Sequence, residues 1–328
     1  MRRVVVSSGT ADALNTNQRL RRRIAHGFQQ LGLSSQPCAV EAVPALLKRQ
    51  SVDLLVITGS IADPSVDLNW LVRLARQWGS QVAFWLHDDP YEFDLNWRLA
   101  ELGCPVFSNE PNCLPYYPPA CQARPLALAA SPLDDLPLAQ IQLDQQAVDW
   151  QADPEVDLAF CGVAFPQRIA MLRQLAAAGF RLACWGDGWP EDLAGVMNLR
   201  LGPQGLRQLY RRCRFVLNLG RDMAIANRRY QIAASMPGPR TFEAALFGAV
   251  QLYLGQSPRI GAYYGPGEGV IPAGSTEEVA ALVERATKEP EWLQRLGQAA
   301  ARHTRRHHLY RHRCHDLLAG LAVKGQQP

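Results

Sequence analysis

The sequence predicts an α/β protein built from two doubly wound, Rossmann-like domains, and three observations carry that prediction. Short apolar runs that read as buried strands alternate with helical patterns of about 10–15 residues, the signature of parallel strands joined by helical crossovers. The alternation is interrupted between residues 131 and 152 by "SPLDDLPLAQIQLDQQAVDWQA", which mixes proline, acid and glutamine, and then restarts. The length, 328 residues, exceeds what one hydrophobic core usually organises.

The first domain is expected over residues 1–130. "RRVVVSS" (2–8) reads as a strand, and "RLRRRIAHGFQQLG" as a helix stopped by Gly32. "VDLLVITG" (52–59) is a second strand, "NWLVRLARQWG" (69–79) an amphipathic helix closed by Gly79, and "QVAFWLHDD" (81–89) a third strand running into acids. "CPVFSN" (104–109) and "ARPLALAAS" (123–131) complete the set. Residues 131–152 are the linker. The second domain is expected over 153–300, from "VDLAFCG", "PQRIAMLRQLAAAG", "FRLACWG", "GPQGLRQLYRRC", "RFVLNLG", "GPRTFEAALFG" and "AVQLYLG" in turn. A basic helix over 301–328, packing back on the first domain, ends the chain.

Composition excludes several classes. With 48% hydrophobic and 20% charged residues, the chain is neither disordered nor fibrous. Its apolar runs, such as "VAFWL" (82–86), are far too short to span a bilayer, and no long apolar stretch follows Arg2 and Arg3, so no membrane span and a cytoplasmic location are expected. Eight cysteines occur without a CxxC pair, which reads as reduced, structural thiols. The net charge of +4 is local: 301–315, "ARHTRRHHLYRHRCH", holds five arginines and no acid, leaving 29 basic against 30 acidic residues elsewhere. That stretch reads as a solvated basic helix near an anionic ligand or partner. Helical spacing puts His308 and His312 on one face, but an acidic third ligand is missing, so no metal site is expected.

Chemistry concentrates in the second domain. "FCGVAFPQR" places Gly162 where a strand turns into a helix, whose free N–H groups suit an anion, and Arg168 in the first helical turn can add a bidentate contact. The pattern is neither GxGxxG nor a P-loop. Gly186, in "CWGDGW", marks a Gly-Asp-Gly turn, whose plainer reading is tight-turn geometry. Asn218 ends the strand "LNLG", and the loop that follows, with Arg221, Asn227, Arg228 and Arg229, is too long for a simple connector and reads as functional.

In "PGPRTFEAALFG", Arg240, Thr241 and Glu243 stand at the entry to an otherwise apolar helix. One reading has Thr241 cap the helix and Glu243 complement its dipole, worth about 0.3–1 kcal/mol. The other gives these charges a ligand: Arg240 for phosphate oxygens and Glu243 for ribose hydroxyls, because charge removed from water needs a partner. In the first domain, "LHDDP" sets His87, Asp88 and Asp89 at a strand end. They either cap a helix starting at Pro90, or Asp88 or Asp89 accepts a proton from an acceptor hydroxyl. Large aromatics such as Trp85 and Trp189 read as packing.

"FCGVAFPQR", "LNLG", "RTFEAALFGAVQLY" and the tail "STEEVAALVERATKEPEWLQRLGQAAARHTRRHHLYRHRC" together resemble the carboxyl-terminal half of spore-maturation CgeB-like glycosyltransferases. "VAFWLHDDPYEFD", "VFSN" and "YYPPACQARPLALAASP" resemble the domain preceding it in the flagellar and surface branch. The resemblance runs roughly from Val52 to Leu318 and implies a GT-B fold, with a nucleotide-sugar donor, UDP-, dTDP- or GDP-linked, on the second domain and an acceptor on the first. It implies Glu243 at the donor ribose, Gly162 and Arg168 near the diphosphate, and no metal or resident cofactor. It also makes Asp12, in the first strand-to-helix loop, a rival base, giving the order Asp88, Asp12, His87. One departure stands out: many retaining members of the wider fold carry an acid eight positions before this glutamate, where this chain has Ser235. The acceptor is expected to be a protein or glycan. Two alternatives remain: a nucleotide-binding module without turnover, and a DNA-modifying glycosyltransferase steered by the basic stretch.

Overall fold

The computed structural model describes residues 2–12, 17–132, 156–221, 225–254 and 259–322. The chain divides into two compact units. The expected linker, 131–152, lies almost wholly outside the described residues.

The first unit takes the described parts of Met1–Leu133, Ala224–Met236 and Leu309–Pro328. Its strands are β1 (Arg3–Ser8), β2 (Ser34–Pro37), β3 (Leu54–Gly59), β4 (Gln81–Leu86), β5 (Val106–Ser108) and β6 (Arg124–Pro125). They pair in parallel in the order β2-β1-β3-β4-β5-β6. Helices α1 (Asn17–Gln29), α2 (Val43–Arg49), α3 (Leu68–Gln77), α4 (Trp97–Ala100) and α10 (Tyr310–Ala322) belong to it. β3 is buried along its whole length, as its continuous apolar run requires when both sheet faces are covered. α3 begins because the Asp67 carboxylate accepts from Trp70 N–H at 2.8 Å, and it stops at Gly79, whose φ of 78° ends the helix in the left-handed region.

One face of this sheet, Val4, Val6, Trp85 and Phe107, is covered by α1 and α10 through Ile24, Phe28, Tyr310, Cys314 and Leu317. The two helices approach closely at Gly27, where a Cβ would lie 2.9 Å from both Cys314 Sγ and the Tyr310 carbonyl carbon. The opposite face packs Leu55, Ile57 and Phe84 against α2 and α3, and the same cluster takes in Ile232. The long loop read from sequence as functional in the second domain is therefore divided: Arg221 stays in the second unit, and Asn227, Arg228 and Arg229 belong to the first. Asp94 accepts from the N–H of Arg228 at 2.7 Å and of Arg229 at 3.1 Å, and Asn112 Nδ2 donates to Ala233 O at 3.0 Å. Glu110, 1% exposed, accepts from Ser235 N–H and Ser235 Oγ, each at 2.6 Å, and from Met236 N–H at 3.2 Å.

The second unit takes the described parts of Asp134–Met223 and Pro237–His308. Its elements are β7 (Val156–Cys161), α5 (Pro166–Ala177), β8 (Leu182–Trp185), β9 (Val196–Met197), α6 (Pro203–Arg211), β10 (Cys213–Leu219), α7 (Pro239–Leu246), β11 (Gln251–Leu254), β12 (Val270–Ala273), α8 (Thr276–Lys288) and α9 (Pro290–His307). The parallel order is β12-β11-β10-β7-β8-β9. Counted within the unit this is 3-2-1-4-5-6, the dinucleotide-fold order, with its switch point between β7 and β10.

The expected single basic helix is two helices. α9 ends at His307 and α10 begins at Tyr310, with the break at the boundary between the units. Nor is it a solvated face throughout: His308 and Arg313 are buried, and Arg313 Nε donates to Leu128 O at 3.2 Å. His308 and His312 consequently do not share a helical face, and His312 Nδ1 accepts from Leu309 N–H at 3.1 Å. Among the described residues no helix is long and apolar enough to cross a membrane.

Candidate functional site

In the second unit, the carboxyl ends of β7 and β10 and the start of α7 gather most of the residues singled out from sequence. Gly162 follows β7 directly; its N–H donates to Trp185 O at 2.8 Å and its carbonyl accepts from Trp189 Nε1 at 3.0 Å. Gly186, at φ 142°, lies against it so closely that a Cβ would fall 2.0 Å from Gly162 O. These two glycines thus let the β7 and β8 end loops touch. Arg168, in the first turn of α5, donates from Nε to Gly220 O at 2.8 Å, from Nη2 to Leu219 O at 3.2 Å and from Nη1 to Val163 O at 3.0 Å. Its guanidinium also stacks over the rings of Phe160 and Phe165. Three donors directed at main-chain carbonyls make Arg168 a fastener across the switch point.

The start of α7 differs from the capping reading. Gly238 is its N-cap, Thr241 makes no cap bond, and Glu243 lies beyond the first turn. Thr241 is fully buried and instead donates from Oγ1 to Asn218 Oδ1 at 3.2 Å. Asn218 Nδ2 donates to Gln251 Oε1, and Gln251 Nε2 returns to Thr241 O at 2.9 Å. This closed ring ties the end of β10, the start of α7 and β11 together, so buried amides are satisfied and the helix entry is fixed. Gln251 escaped the sequence reading, although a glutamine inside the apolar run "AVQLYLG" was the signal for it.

Arg240 and Glu243 are half-buried at this fixed entry. Arg240 Nη1 lies 3.3 Å from Glu243 Oε2, with side chains 35% and 12% exposed. Burial opposes the charge on Arg240, but Tyr210 and Glu243 outweigh it and raise its pKa. Tyr210 is itself buried on α6, and burial raises its pKa. Its hydroxyl faces the Arg240 guanidinium, which offsets part of that rise. A cation, a carboxylate and a buried phenol therefore lie together beside a switch point, where ligands of open α/β sheets bind.

In the first unit the three candidate bases have separate surroundings. Asp12 is clasped by the buried Arg21, Nη1 to Oδ1 at 2.5 Å and Nη2 to Oδ2 at 2.9 Å. That bidentate pair stabilises the carboxylate and makes it a poor proton acceptor. Burial lowers the pKa of His87 to about 3, and its Nε2 has no hydrogen-bond partner among the described residues. Asp88 is half-buried beside it. Asp89 does not cap a helix at Pro90; the next helical turn is Phe93–Leu95. Its carboxylate accepts from Ser108 Oγ and from Tyr117 OH at 2.8 Å. Burial nevertheless pushes Asp89 up to about 7, against those two bonds and with help from Asp88 and Glu92. Desolvation, more than mutual repulsion of adjacent acids, sets that shift.

Residues 168–319 match the family described as Glycosyl transferase-like. No curated protein sequence matches the chain. Sucrose-phosphate synthase from Thermosynechococcus elongatus is similar in structure with a TM-score of 0.61 at 12% identity, covering 99% of each chain. A glycosyltransferase from Rickettsia africae has a TM-score of 0.61 at 9% identity over 100% of both chains. HepE of Anabaena, in complex with UDP and glucose, has a TM-score of 0.59 at 12% identity, covering 98% of this chain and 99% of that one. Two Rossmann-like parallel-sheet units, matched along their whole length by such structures, give this chain the GT-B fold.

Proposed function

We propose that the protein is a glycosyltransferase of the CgeB-like kind, acting in the cytoplasm, that takes a sugar from a nucleoside-diphosphate sugar and passes it to an acceptor hydroxyl. The observation that carries this is the Arg240–Glu243 pair beside Tyr210 at the fixed entry of α7. A bound donor would take over this 3.3 Å contact, with Arg240 turning to phosphate oxygens and Glu243 to ribose hydroxyls. The match to a glycosyltransferase-like family supports the reaction class, and HepE, with its UDP and glucose, supports UDP as the first nucleotide to test.

In the proposed reaction the acceptor oxygen attacks the anomeric carbon, the bond from that carbon to the phosphate oxygen breaks, and the nucleoside diphosphate leaves with the electron pair. Arg240 and the first N–H groups of α7 offset the charge on the leaving diphosphate, a role that needs no metal. Gly162 and Gly186 keep the neighbouring loops close, while Arg168, Asn218 and Thr241 position them. For the acceptor's proton Asp88 is the proposed base, because Asp12 is neutralised by Arg21 and His87 is too weakly basic. The Ser235 position leaves no acid for the retaining pattern named above. A DNA acceptor is disfavoured by the break and burial within the basic stretch.

A thermal-shift panel of nucleotides and nucleotide sugars tests this reading, since a ligand bound by the folded state raises the midpoint. UDP derivatives are expected to raise it; no response to any nucleotide would refute the reading. Asp88→Asn is expected to keep that response while lowering the transfer rate at least 100-fold. Undiminished turnover would remove Asp88 from the mechanism, and a nucleotide response without turnover in the native protein would favour the binding module.

A further inference from the structure

The loop that the sequence marks as functional takes no part in the proposed reaction, yet the fold presents it at the surface of the first unit. Main-chain atoms pin it there: Ile225 and Ala226 N–H donate to Tyr91 O at 2.9 and 2.8 Å, and Asp94 takes the N–H groups of Arg228 and Arg229. The two arginine side chains are left exposed, and among the described residues neither meets a carboxylate. The Arg229 guanidinium lies 5.2 Å from the centre of the Tyr230 ring.

Tyr230 leads into a run of aromatic rings. It meets Phe93 at 5.1 Å and Tyr116 at 5.5 Å, both edge to face, and Phe93 meets Tyr117 at 5.1 Å. Inward, the Tyr117 hydroxyl donates at 2.8 Å to Asp89, the neighbour of the proposed base Asp88. Outward, the run surfaces at Tyr116, 52% exposed, and at Trp97, 69% exposed, which stands four residues after Phe93 in the helical stretch continued through Asn96. Phe93 and Tyr117 are buried, so they form a floor beneath the outer rings. Large aromatic faces left together in water mark a binding surface, because burying them is favourable.

Two features name the occupant. Flat exposed rings pack against the C–H face of a pyranose while their polar atoms reach its hydroxyls, and guanidiniums bind carboxylate or sulfate groups in bidentate fashion. An acidic peptide has no comparable flat face, and a nucleic acid calls for cations along its whole track, where this surface offers Arg228 and Arg229 alone. On the glycosyltransferase reading above, we infer that this surface carries the acceptor and that the acceptor is an anionic oligosaccharide. Its sugar rings lie on Trp97 and Tyr116, its charged groups on Arg228 and Arg229, and its reacting end towards Asp88.

Calorimetric titration of the full chain with hexagalacturonate and with a heparin hexasaccharide tests this, with maltohexaose as the neutral counterpart. Saturable binding of an anionic probe is expected, at least tenfold tighter than maltohexaose and weakening as salt is raised. Trp97→Ala should weaken it at least tenfold. Arg228→Gln combined with Arg229→Gln should bring the anionic probe down to the neutral one; both substitutions keep the main-chain N–H groups that Asp94 holds, so the segment stays in place. Trp78→Ala, an exposed residue near the start of β4 and so at the opposite edge of the sheet, should bind as the native chain does. None of these variants should alter the rise in melting midpoint with UDP, which reports on the donor alone. If UDP raises the midpoint but neither anionic probe binds, or if Trp97→Ala binds as the native chain does, this inference is overturned and the donor reading stands. Anionic binding without any nucleotide response would support this surface and strike the donor reading instead. Equal affinity for a hexaglutamate peptide or for hexathymidylate would overturn the assignment to a sugar chain.

Discussion

The two units handle their acids differently. In the first, carboxylates are consumed in construction: Asp12 by Arg21, Asp94 by the main chain of Arg228 and Arg229, Glu110 by Ser235 and Met236, Asp89 by Ser108 and Tyr117. In the second, Asp157 and Glu268 are held in the same way, by Arg181 and by Gly265 N–H, but Glu243 at the switch point meets its cation at 3.3 Å, next to the buried Tyr210 phenol. Strong, short, internally saturated contacts mark residues that build the fold. A longer ion pair on a rigid platform marks one that can exchange partners when a ligand offers both charges a replacement.

The comparison is easiest to break at its platform. Gly186→Ala places a Cβ 2.0 Å from Gly162 O at φ 142°, so a loss of about 3 kcal/mol or more is expected in denaturant unfolding. Gly162→Ala, which meets the Phe160 ring at 3.0 Å, should cost less. Equal costs would mean that the loop contact does not set the site. In the first unit, Glu110→Gln turns an amide towards donors that the carboxylate now accepts from, and about 2–4 kcal/mol should be lost. Faster proteolysis within 225–236 should accompany that loss; an unaffected segment would deny Glu110 its role.

A smaller effect distinguishes His87 from Asp89. Asp89 is raised from 3.8 to about 7, so the folded state holds its proton longer and stability falls as pH climbs through that window. His87 is lowered from 6.5 to about 3, so the unfolded state binds its proton first and stability falls as pH drops below 6.5. Between about pH 4.5 and 6 the two slopes oppose each other, each up to about 1.4 kcal/mol per unit. His87→Gln should therefore expose stability that declines with rising pH, and Asp89→Asn stability that declines with falling pH. Urea unfolding across that range reads both; parallel curves for the two variants would contradict the assignment.

The contrast also explains what was legible beforehand. β1, β3 and β4 carry continuous apolar runs because both sheet faces are covered, and β7 and β10 are mostly apolar with Asp157, Arg214 and Asn218 set into them, so the sequence announces all five. β2, "SSQP", carries no such run, and its pairing follows from its neighbours. The transfer of residues 225–236 to the first unit was hidden because Glu110 and Asp94, more than 100 residues away, hold it through main-chain donors that any sequence supplies. Tyr230 and Ile232 were its side-chain clue. In the site, Arg240 and Glu243 were legible as charges out of place on an apolar helix. The fastening role of Arg168 was not legible, because its partners are carbonyls, which leave no mark on composition.

Calorimetric titration of UDP and a UDP-sugar into the native chain and Glu243→Gln tests the central claim most directly. The account expects saturable binding to the native protein and at least tenfold weaker binding to the variant at unchanged unfolding stability. Equal affinity in the two proteins would show that the pair at the start of α7 is only a structural ion pair.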